Sequence, residues 1–104
     1  MNISLDFDDT YTRDPALWDQ FVRMAHASGH IVYLVTMRFP EQGDDVYNSI
    51  GKIIGHDKIY FTCHQGKRKF MWERGVNIHV WIDDMPQAIV AGIEQINDGK
   101  IILL

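Results

Sequence analysis

Two groups of aspartates are the residues best suited to do chemistry. Asp6, Asp8 and Asp9 lie within four positions directly after the short apolar run ISL, and a second pair, Asp83 and Asp84, follows the run HVWI. Carboxylates crowded at the end of a buried strand repel one another, so either one of them takes up a proton or the group binds a cation. The sequence therefore predicts a cation partner for these acids.

The elements that must position these acids alternate regularly along the chain. Glycines close stretches of helical character, whereas each of the three prolines follows a strand candidate and precedes a helix candidate. Together with the apolar runs, these signals predict strands over residues 2–7, 30–36, 58–62, 78–82 and 100–104 and helices over residues 15–28, 41–54, 66–74 and 86–97. Such alternation predicts one α/β domain over residues 1–104, a three-layer Rossmann-like sandwich with helices on both faces of a five-stranded parallel sheet.

Ligands of an open parallel sheet bind beyond the carboxyl ends of the strands, and both groups of aspartates fall at such ends. Thr36 and Arg38 follow the second predicted strand, and the basic cluster Lys67-Arg68-Lys69 begins a later helix. Five carboxylates among so few cations would repel a phosphate dianion unless a hard divalent cation lies among them. Mg²⁺ is the natural candidate for that cation.

Composition narrows the class of protein. The chain has 104 residues, 46% of them hydrophobic, and a net charge of −4, which disfavours a broad nucleic-acid or anionic-membrane surface. Its one cysteine, Cys63, excludes an internal disulfide, and Cys63-His64 is too sparse a pair for a structural zinc site. No segment has the length of a spanning helix, and acids stand where a signal peptide carries positive charge, so we expect a cytoplasmic protein.

Four short motifs occur in a fixed order at the ends of successive predicted elements. LDFDDT contains D-x-D-x-T, Thr36 ends a strand in YLVTMR, Lys67 begins a helix, and WIDDMP carries a pair of acids. In this order, and over nearly the whole chain, they resemble the four motifs of the haloacid dehalogenase (HAD) phosphohydrolase superfamily. The resemblance implies a HAD-like core domain that hydrolyses phosphate monoesters with Mg²⁺.

The resemblance also implies a role for each matching residue. Asp6 would be the nucleophile that forms an aspartyl-phosphate, and Asp8 would protonate the leaving oxygen and later activate water. Thr36 and Lys67 would hold the phosphoryl oxygens. The implied metal ligands are Asp6, Asp8 through its backbone carbonyl, Asp83 and, through water or Lys67, Asp84.

Two positions fit the family imperfectly. Asp9 stands where the family often has glycine, and it is either a solvated turn residue or a ligand that acts through water. The motif lysine is either Lys67 or Lys69. Lys67 is preferred because it directly follows Gly66 and would lie in the first turn of the helix.

Members of the family commonly carry an inserted cap domain that selects small substrates. We expect no cap here, because only about twenty residues, filled by one predicted helix, separate Asp9 from the second strand. Capless members of the family tend to act on large substrates or to borrow a lid from a second subunit. The expected partner is therefore a phosphorylated nucleotide, nucleic-acid end or protein, with a homo-oligomer that supplies a lid as the alternative. Arg38 resembles the T-x-R of phosphatases that act on nucleotides and polynucleotide 3′ ends, where it would bind phosphate. Its other interpretation is a surface salt bridge with Glu41 or Asp45.

The aromatic residues and histidines add weaker signals. Tyr11, Phe39 and Trp72 either stack a base near the site or pack within the fold. His64 stands near the end of the third predicted strand and could reach a leaving group. The other histidines are expected to cap helices, to pack or to lie at the surface.

Three other functions share parts of this pattern. A response-regulator receiver domain also gathers acids, a Thr and a Lys around Mg²⁺, but its phosphorylated Asp ends the third strand, where this chain has Thr62 and Cys63. A HAD-like or receiver-like module with a regulatory role would bind metal or phosphate with little catalysis. A Mg²⁺-dependent nuclease could use the same carboxylates.

Overall fold

Four parallel strands form the central sheet. The structure, a computed structural model, describes residues 1–99. Within that range the sheet has the order β3-β2-β1-β4, and every neighbouring pair is parallel. The predicted parallel sheet is confirmed with four strands rather than five, and the predicted strand over residues 100–104 lies outside the described residues. The strands are β1 (Asn2–Leu5), β2 (Ile31–Thr36), β3 (Ile59–Phe61) and β4 (Val80–Ile82).

Helices connect the strands, and in residues 1–99 none of them is long and apolar enough to cross a membrane. The 13-residue α1 begins at the proline that directly follows its capping residue, Asp14, whose carboxylate accepts a hydrogen bond from the N–H of Leu17 at 3.1 Å. The helices are α1 (Pro15–Ala27), α2 (Asp44–Tyr47), α3 (Gly51–Ile54), α4 (Lys67–Glu73), α5 (Gln87–Val90) and α6 (Ile93–Asn97). Short 3₁₀ turns lie at Tyr11–Arg13, Pro40–Gln42 and His56–Lys58.

Two of the predicted helices are interrupted. The prediction of one helix over residues 41–54 is wrong, because residues 48–50 separate α2 from α3. There the hydroxyl of Ser49 donates to the carbonyl of Asp45 at 2.6 Å and competes with the backbone for that acceptor. The predicted helix over residues 86–97 is likewise broken between α5 and α6, where Ala91 and Gly92 have extended backbones.

Apolar side chains fill both faces of the sheet. On β2, Val32 and Leu34 pack with β1, α1 and α3 in one cluster, whereas Val35 packs with Phe70 and Met71 of α4 in another. Successive side chains of a strand point to opposite faces, so the two clusters mark the two sides of the sheet. The structure is therefore a three-layer α/β fold that is broadly Rossmann-like.

The strand order creates a crevice beside β1. From β1 the chain turns to one side to form β2 and β3, and then crosses to form β4 on the other side of β1. Ligands of open α/β sheets bind at the carboxyl ends of the strands where the order reverses in this way. Only one helix, α1, lies between β1 and β2, and it leaves this crevice uncovered by any inserted domain.

Candidate functional site

Residues from four elements meet at the crevice. Asp6 follows β1, Thr36 ends β2, Lys67 begins α4, and the acidic pair follows β4. They line a pocket of about 370 Å³. The structure thus brings together all of the site residues that the sequence predicted, although they lie up to 78 residues apart in the chain. The predicted residues that line the pocket are Asp6, Asp8, Thr36, Arg38, Lys67, Asp83 and Asp84.

Asp6 is a buried acid whose backbone and side chain are both held in place. Its N–H donates to the carbonyl of Ile82 at 3.0 Å, which extends the β1–β4 pairing and fixes the backbone, and the residue is only 7% exposed. One carboxylate oxygen accepts from Lys67 Nζ at 2.8 Å, and the other lies 3.1 Å from the Thr10 hydroxyl. Burial raises the pKa of Asp6 to about 7, although the charge and hydrogen bond of Lys67 act in the opposite direction.

Lys67 is a fully buried cation between two acids. Its residue is 1% exposed, and its ammonium lies 2.8 Å from Asp6 Oδ1 and 2.5 Å from Asp83 Oδ2. Gly66 permits this position, since a Cβ there would lie only 3.1 Å from the backbone nitrogen of Ala91. Lys69, by contrast, has an 86% exposed side chain that lies 3.8 Å from Glu73. Of the two candidate lysines, the structure therefore brings only Lys67 to the site.

Three carboxylates form a group that could hold a metal ion. One oxygen each from Asp6, Asp83 and Asp84 lies within 4.8 Å of the others. When all three acids are ionised they carry three negative charges, and the cation that contacts them among residues 1–99 is the ammonium of Lys67, which leaves a net charge of −2 for the group. The carboxylate of Asp8 is not a member of this group; its predicted metal role, through the backbone carbonyl, stays a prediction.

Thr10 is a site residue to which sequence reasoning assigned no role. Its hydroxyl lies 3.1 Å from Asp6 Oδ2 and 3.2 Å from Asp84 Oδ1, and it accepts from the N–H of Asp84 at 3.2 Å. Because a hydroxyl has one proton, Thr10 can donate to only one of the two carboxylates at a time. The residue links the end of β1 to the end of β4. The threonine of D-x-D-x-T was the sequence signal for it.

Arg38 holds the carboxylate of Asp8. The guanidinium donates from Nε and Nη2 to the two oxygens of Asp8 at 2.9 and 2.7 Å, and from Nη1 to Asp45 Oδ1 at 2.6 Å and the carbonyl of Gln42 at 2.8 Å. It also lies over the Phe7 ring, 4.9 Å from the centroid. The salt bridge to Asp45 that the sequence left open is present, and the pair with Asp8 is an addition. These hydrogen bonds raise the pKa of Arg38.

Thr36 and Asp9 border the site in different ways. Thr36 is 1% exposed, and its hydroxyl accepts from the N–H of Arg38 at 3.3 Å. Asp9 is exposed and has φ +61°, the left-handed region that glycine adopts without strain. The conformation explains why a glycine would suit this position. The N–H of Asp9 donates to the hydroxyl of Thr12 at 3.0 Å.

The aromatic candidates separate into three settings. Tyr11 is buried, stacks on Phe7 with centroids 5.5 Å apart, and donates its hydroxyl to Asp19 at 2.7 Å, so it packs within the fold. Trp72 is 67% exposed but lines a different cavity. Phe39 stands at the site's margin, where its ring centroid lies 4.8 Å from that of His64, and His64 itself lines the pocket.

Comparisons of the chain with protein-family models, with curated proteins and with solved structures find no match. A functional proposal therefore depends on the geometry and chemistry of the site.

Proposed function

We propose that this protein is a HAD-type phosphomonoester hydrolase that requires Mg²⁺ and forms an aspartyl-phosphate on Asp6. One observation carries the proposal: a buried ammonium, that of Lys67, lies between Asp6 and Asp83, beside a third carboxylate. Burying so many charges is costly, and a structural role would be served equally well by apolar residues. A catalytic role gives the arrangement a purpose, because it keeps a nucleophile next to groups that neutralise a phosphoryl group.

The acids at this site suit a hard divalent cation. Asp6, Asp83 and Asp84 offer oxygen atoms, the ligands that Mg²⁺ prefers, and in their fully ionised form the net charge of −2 that remains beside Lys67 matches the charge of one such ion. When bound, Mg²⁺ would neutralise phosphoryl oxygens and favour the ionised form of Asp6. These three residues are the proposed ligands, together with the backbone carbonyl of Asp8.

The chain's own residues would divide the reaction between them. A carboxylate oxygen of Asp6 forms a bond to phosphorus as the ester oxygen leaves with a proton from Asp8. Water that has given its proton to Asp8 then attacks phosphorus, which releases phosphate and restores Asp6. Lys67 and the hydroxyl of Thr36 hold phosphoryl oxygens, and most of the rate enhancement comes from this positioning and electrostatic stabilisation.

Asp8 needs a free oxygen for these proton transfers, yet both of its oxygens accept from Arg38. Its side chain is 53% exposed, so exchange of partners is unhindered by burial. We propose that an incoming phosphate competes with Asp8 for the Arg38 guanidinium, which is suited to bind either anion.

The proposed substrates are phosphorylated nucleotides, nucleic-acid ends or proteins, because only α1 separates β1 from β2 and no inserted domain limits access to the pocket. A lid supplied by a second copy of the chain is the alternative for small substrates. A cytoplasmic location remains part of this proposal.

Phosphate release from a panel of esters tests the proposal. The panel contains an aryl phosphate, nucleoside monophosphates and oligonucleotides phosphorylated at the 3′ or 5′ end, each with Mg²⁺ and with a chelator. We expect Mg²⁺-dependent release that Asp6→Asn abolishes and that Asp44→Asn, the same loss of charge at an exposed position outside the pocket, leaves unchanged. Absence of release from every ester by Mg²⁺-loaded protein would contradict an enzymatic function.

A second candidate function is a regulatory module that binds metal or phosphate with little turnover. The observation that favours it is the engagement of both Asp8 oxygens by Arg38, which withholds the acid/base group. This candidate predicts that calorimetry detects binding of Mg²⁺ and inorganic phosphate while the panel shows no release.

A further inference from the structure

A second cavity adjoins the candidate site. It has a volume of about 650 Å³ and shares two wall residues, His64 and Ile93, with the pocket that contains Asp6. Both cavities have volumes in the range of about 300–1,000 Å³ that is typical of small-molecule sites. A substrate whose phosphoryl group reaches Asp6 therefore has a neighbouring space for the group that carries the phosphate.

The wall between the two cavities is held from both sides. The N–H of His64 donates to the carbonyl of Met37 at 2.9 Å, and the carbonyl of His64 accepts from the N–H of Ile93 at 2.9 Å. Gly92 permits this close approach, since a Cβ there would lie 3.1 Å from the His64 carbonyl oxygen. His64 has φ +67°, a conformation that persists when surrounding contacts hold it. The position of this wall is thus fixed by the fold.

The second cavity combines a flat apolar surface with polar groups. Phe39 is 36% exposed, and its ring meets that of His64 edge to face at 70°. An exposed phenyl ring is a stacking surface for a planar ring. Gln65, Glu94 and Gln95 also line the cavity, and their amide and carboxylate groups can hydrogen-bond the edge of a heterocycle. This combination fits a nucleobase.

We propose that this second cavity, the base subsite, binds the nucleobase of a nucleoside monophosphate whose phosphate reaches Asp6. Phe39 stacks on the base, and the His64 wall sets its distance from the phosphate. The inference rests on the proposed function, and it narrows the substrates to those that carry a base close to the phosphate.

A pair of substrates with the same leaving alcohol tests the base subsite. Adenosine 5′-monophosphate and ribose 5-phosphate both release a primary alcohol, so a difference in kcat/KM between them reports contacts with the base. We expect wild-type protein to prefer the nucleotide by roughly tenfold, the effect of one stacked base. Phe39→Leu, which keeps an apolar side chain and removes the ring, should reduce the preference to less than about threefold.

Trp72→Leu is the matched control. It removes an aromatic ring that is 67% exposed and lines a different cavity, so the preference for the nucleotide should be unchanged. Circular dichroism and thermal unfolding of both variants establish that they fold as the wild-type protein does. A wild-type preference near one would overturn the base subsite without any variant.

Equilibrium binding separates failure of the base subsite from failure of the proposed function. Calorimetry with the Asp6→Asn variant and Mg²⁺ measures the affinities for the same two compounds without turnover. Suppose that wild-type protein hydrolyses neither ester, that the Asp6→Asn variant binds the nucleotide more tightly than ribose 5-phosphate, and that adding Phe39→Leu removes this difference in affinity. The base subsite is then supported and the proposed activity is wrong. If both esters are hydrolysed and bound equally well, the base subsite is wrong and the activity stands.

Discussion

Two charged triads lie side by side at the carboxyl end of β1, and each consists of one cation and two carboxylates. In the inner triad Lys67 contacts Asp6 and Asp83, and the three side chains are 2%, 10% and 4% exposed. The outer triad consists of Arg38, Asp8 and Asp45, whose side chains are 22%, 53% and 60% exposed. Each triad takes one of its acids from the D-x-D of the first loop.

The two triads contain the same kinds of charged group and differ in how far their side chains are exposed to solvent. In water, ion pairs contribute little and exchange partners readily, whereas buried charges are expensive to leave unpaired. The inner triad is therefore suited to hold a nucleophile and a phosphoryl group in fixed positions. The outer triad is suited to release Asp8 when a substrate arrives.

The largest expected effect is a loss of stability when Lys67, the cation of the inner triad, is replaced. Lys67→Met leaves Asp6 and Asp83 without their shared cation, and we expect it to lower the free energy of unfolding in chelator by about 3–5 kcal/mol. Arg38→Met, the matched change in the outer triad, should cost about 1 kcal/mol. Urea denaturation measures both, and equal losses in the two variants would contradict the contrast between the triads.

The pH dependence of stability is the next effect in size. The carboxyl of Asp6 has its pKa raised from 3.8 to about 7, so between these values the folded protein binds more protons than the unfolded chain. Stability in chelator should therefore fall as the pH rises from about 4 to 7, by at most about 1.4 kcal/mol per pH unit. Asp6→Asn should flatten this slope, and Mg²⁺ should reduce it in the wild-type protein. A wild-type slope that matches that of Asp6→Asn in chelator would contradict the buried, protonatable Asp6.

A smaller effect concerns the role of Arg38 in turnover. If the incoming phosphate takes Arg38 from Asp8, Arg38→Ala should raise KM by roughly tenfold, and by the same factor for an alkyl phosphate and for the phosphate ester of an acidic phenol. The kcat values should change by less than about threefold, because Asp8 transfers its proton after Arg38 has released it. Steady-state kinetics on both esters gives the comparison. A fall in kcat confined to the alkyl phosphate, whose alkoxide leaves poorly without a proton, would instead show that Arg38 positions Asp8 for proton transfer.

The smallest effect is expected at the edge of the outer triad. Asp45→Asn removes one carboxylate from Arg38 and should cost about 0.5 kcal/mol more than Asp44→Asn. Both variants remove one charge from the first turn of α2, and asparagine keeps an oxygen that can accept from the N–H of Val46, so their difference reports the charged contact with Arg38. Chemical denaturation of both variants at low and high salt measures it, and a difference that persists undiminished at high salt would contradict an exposed, screened pair.

The inner triad was accessible to sequence reasoning because strand ends gather residues that lie far apart in the chain. Asp6 and Asp83 follow apolar runs and the basic cluster 67–69 begins a predicted helix, so the topology of a parallel sheet indicated that they meet, whereas the preference for Lys67 within the cluster came from the resemblance to the third motif. The outer triad was less accessible. The pairing of Arg38 with Asp8 depends on side-chain directions in two loops, for which the sequence has no periodic signal.

The broken helices show a second limit of the sequence. Residues 41–54 and 86–97 have helical character throughout, yet both are interrupted, the first beside the local hydrogen bond from Ser49 to Asp45 and the second at a contact with a distant segment. At Gly92 the interruption comes from the approach of the His64 loop, a contact between segments 28 residues apart in the sequence. Local propensity carries no information about such an approach. The D-x-D-x-T motif marked Thr10, but its contact with Asp84, 74 residues away in the sequence, had no local signal.

Chemical trapping of the intermediate tests the central claim most directly. Borohydride added during turnover of an aryl phosphate with Mg²⁺ reduces an acyl-phosphate to an alcohol, which converts a phosphorylated aspartate to homoserine. Peptide mass spectrometry should find homoserine at residue 6, dependent on both substrate and Mg²⁺, and unmodified aspartate at residues 8 and 9. Turnover without modification of residue 6, or modification at residue 8 instead, would contradict the assignment of Asp6 as the nucleophile.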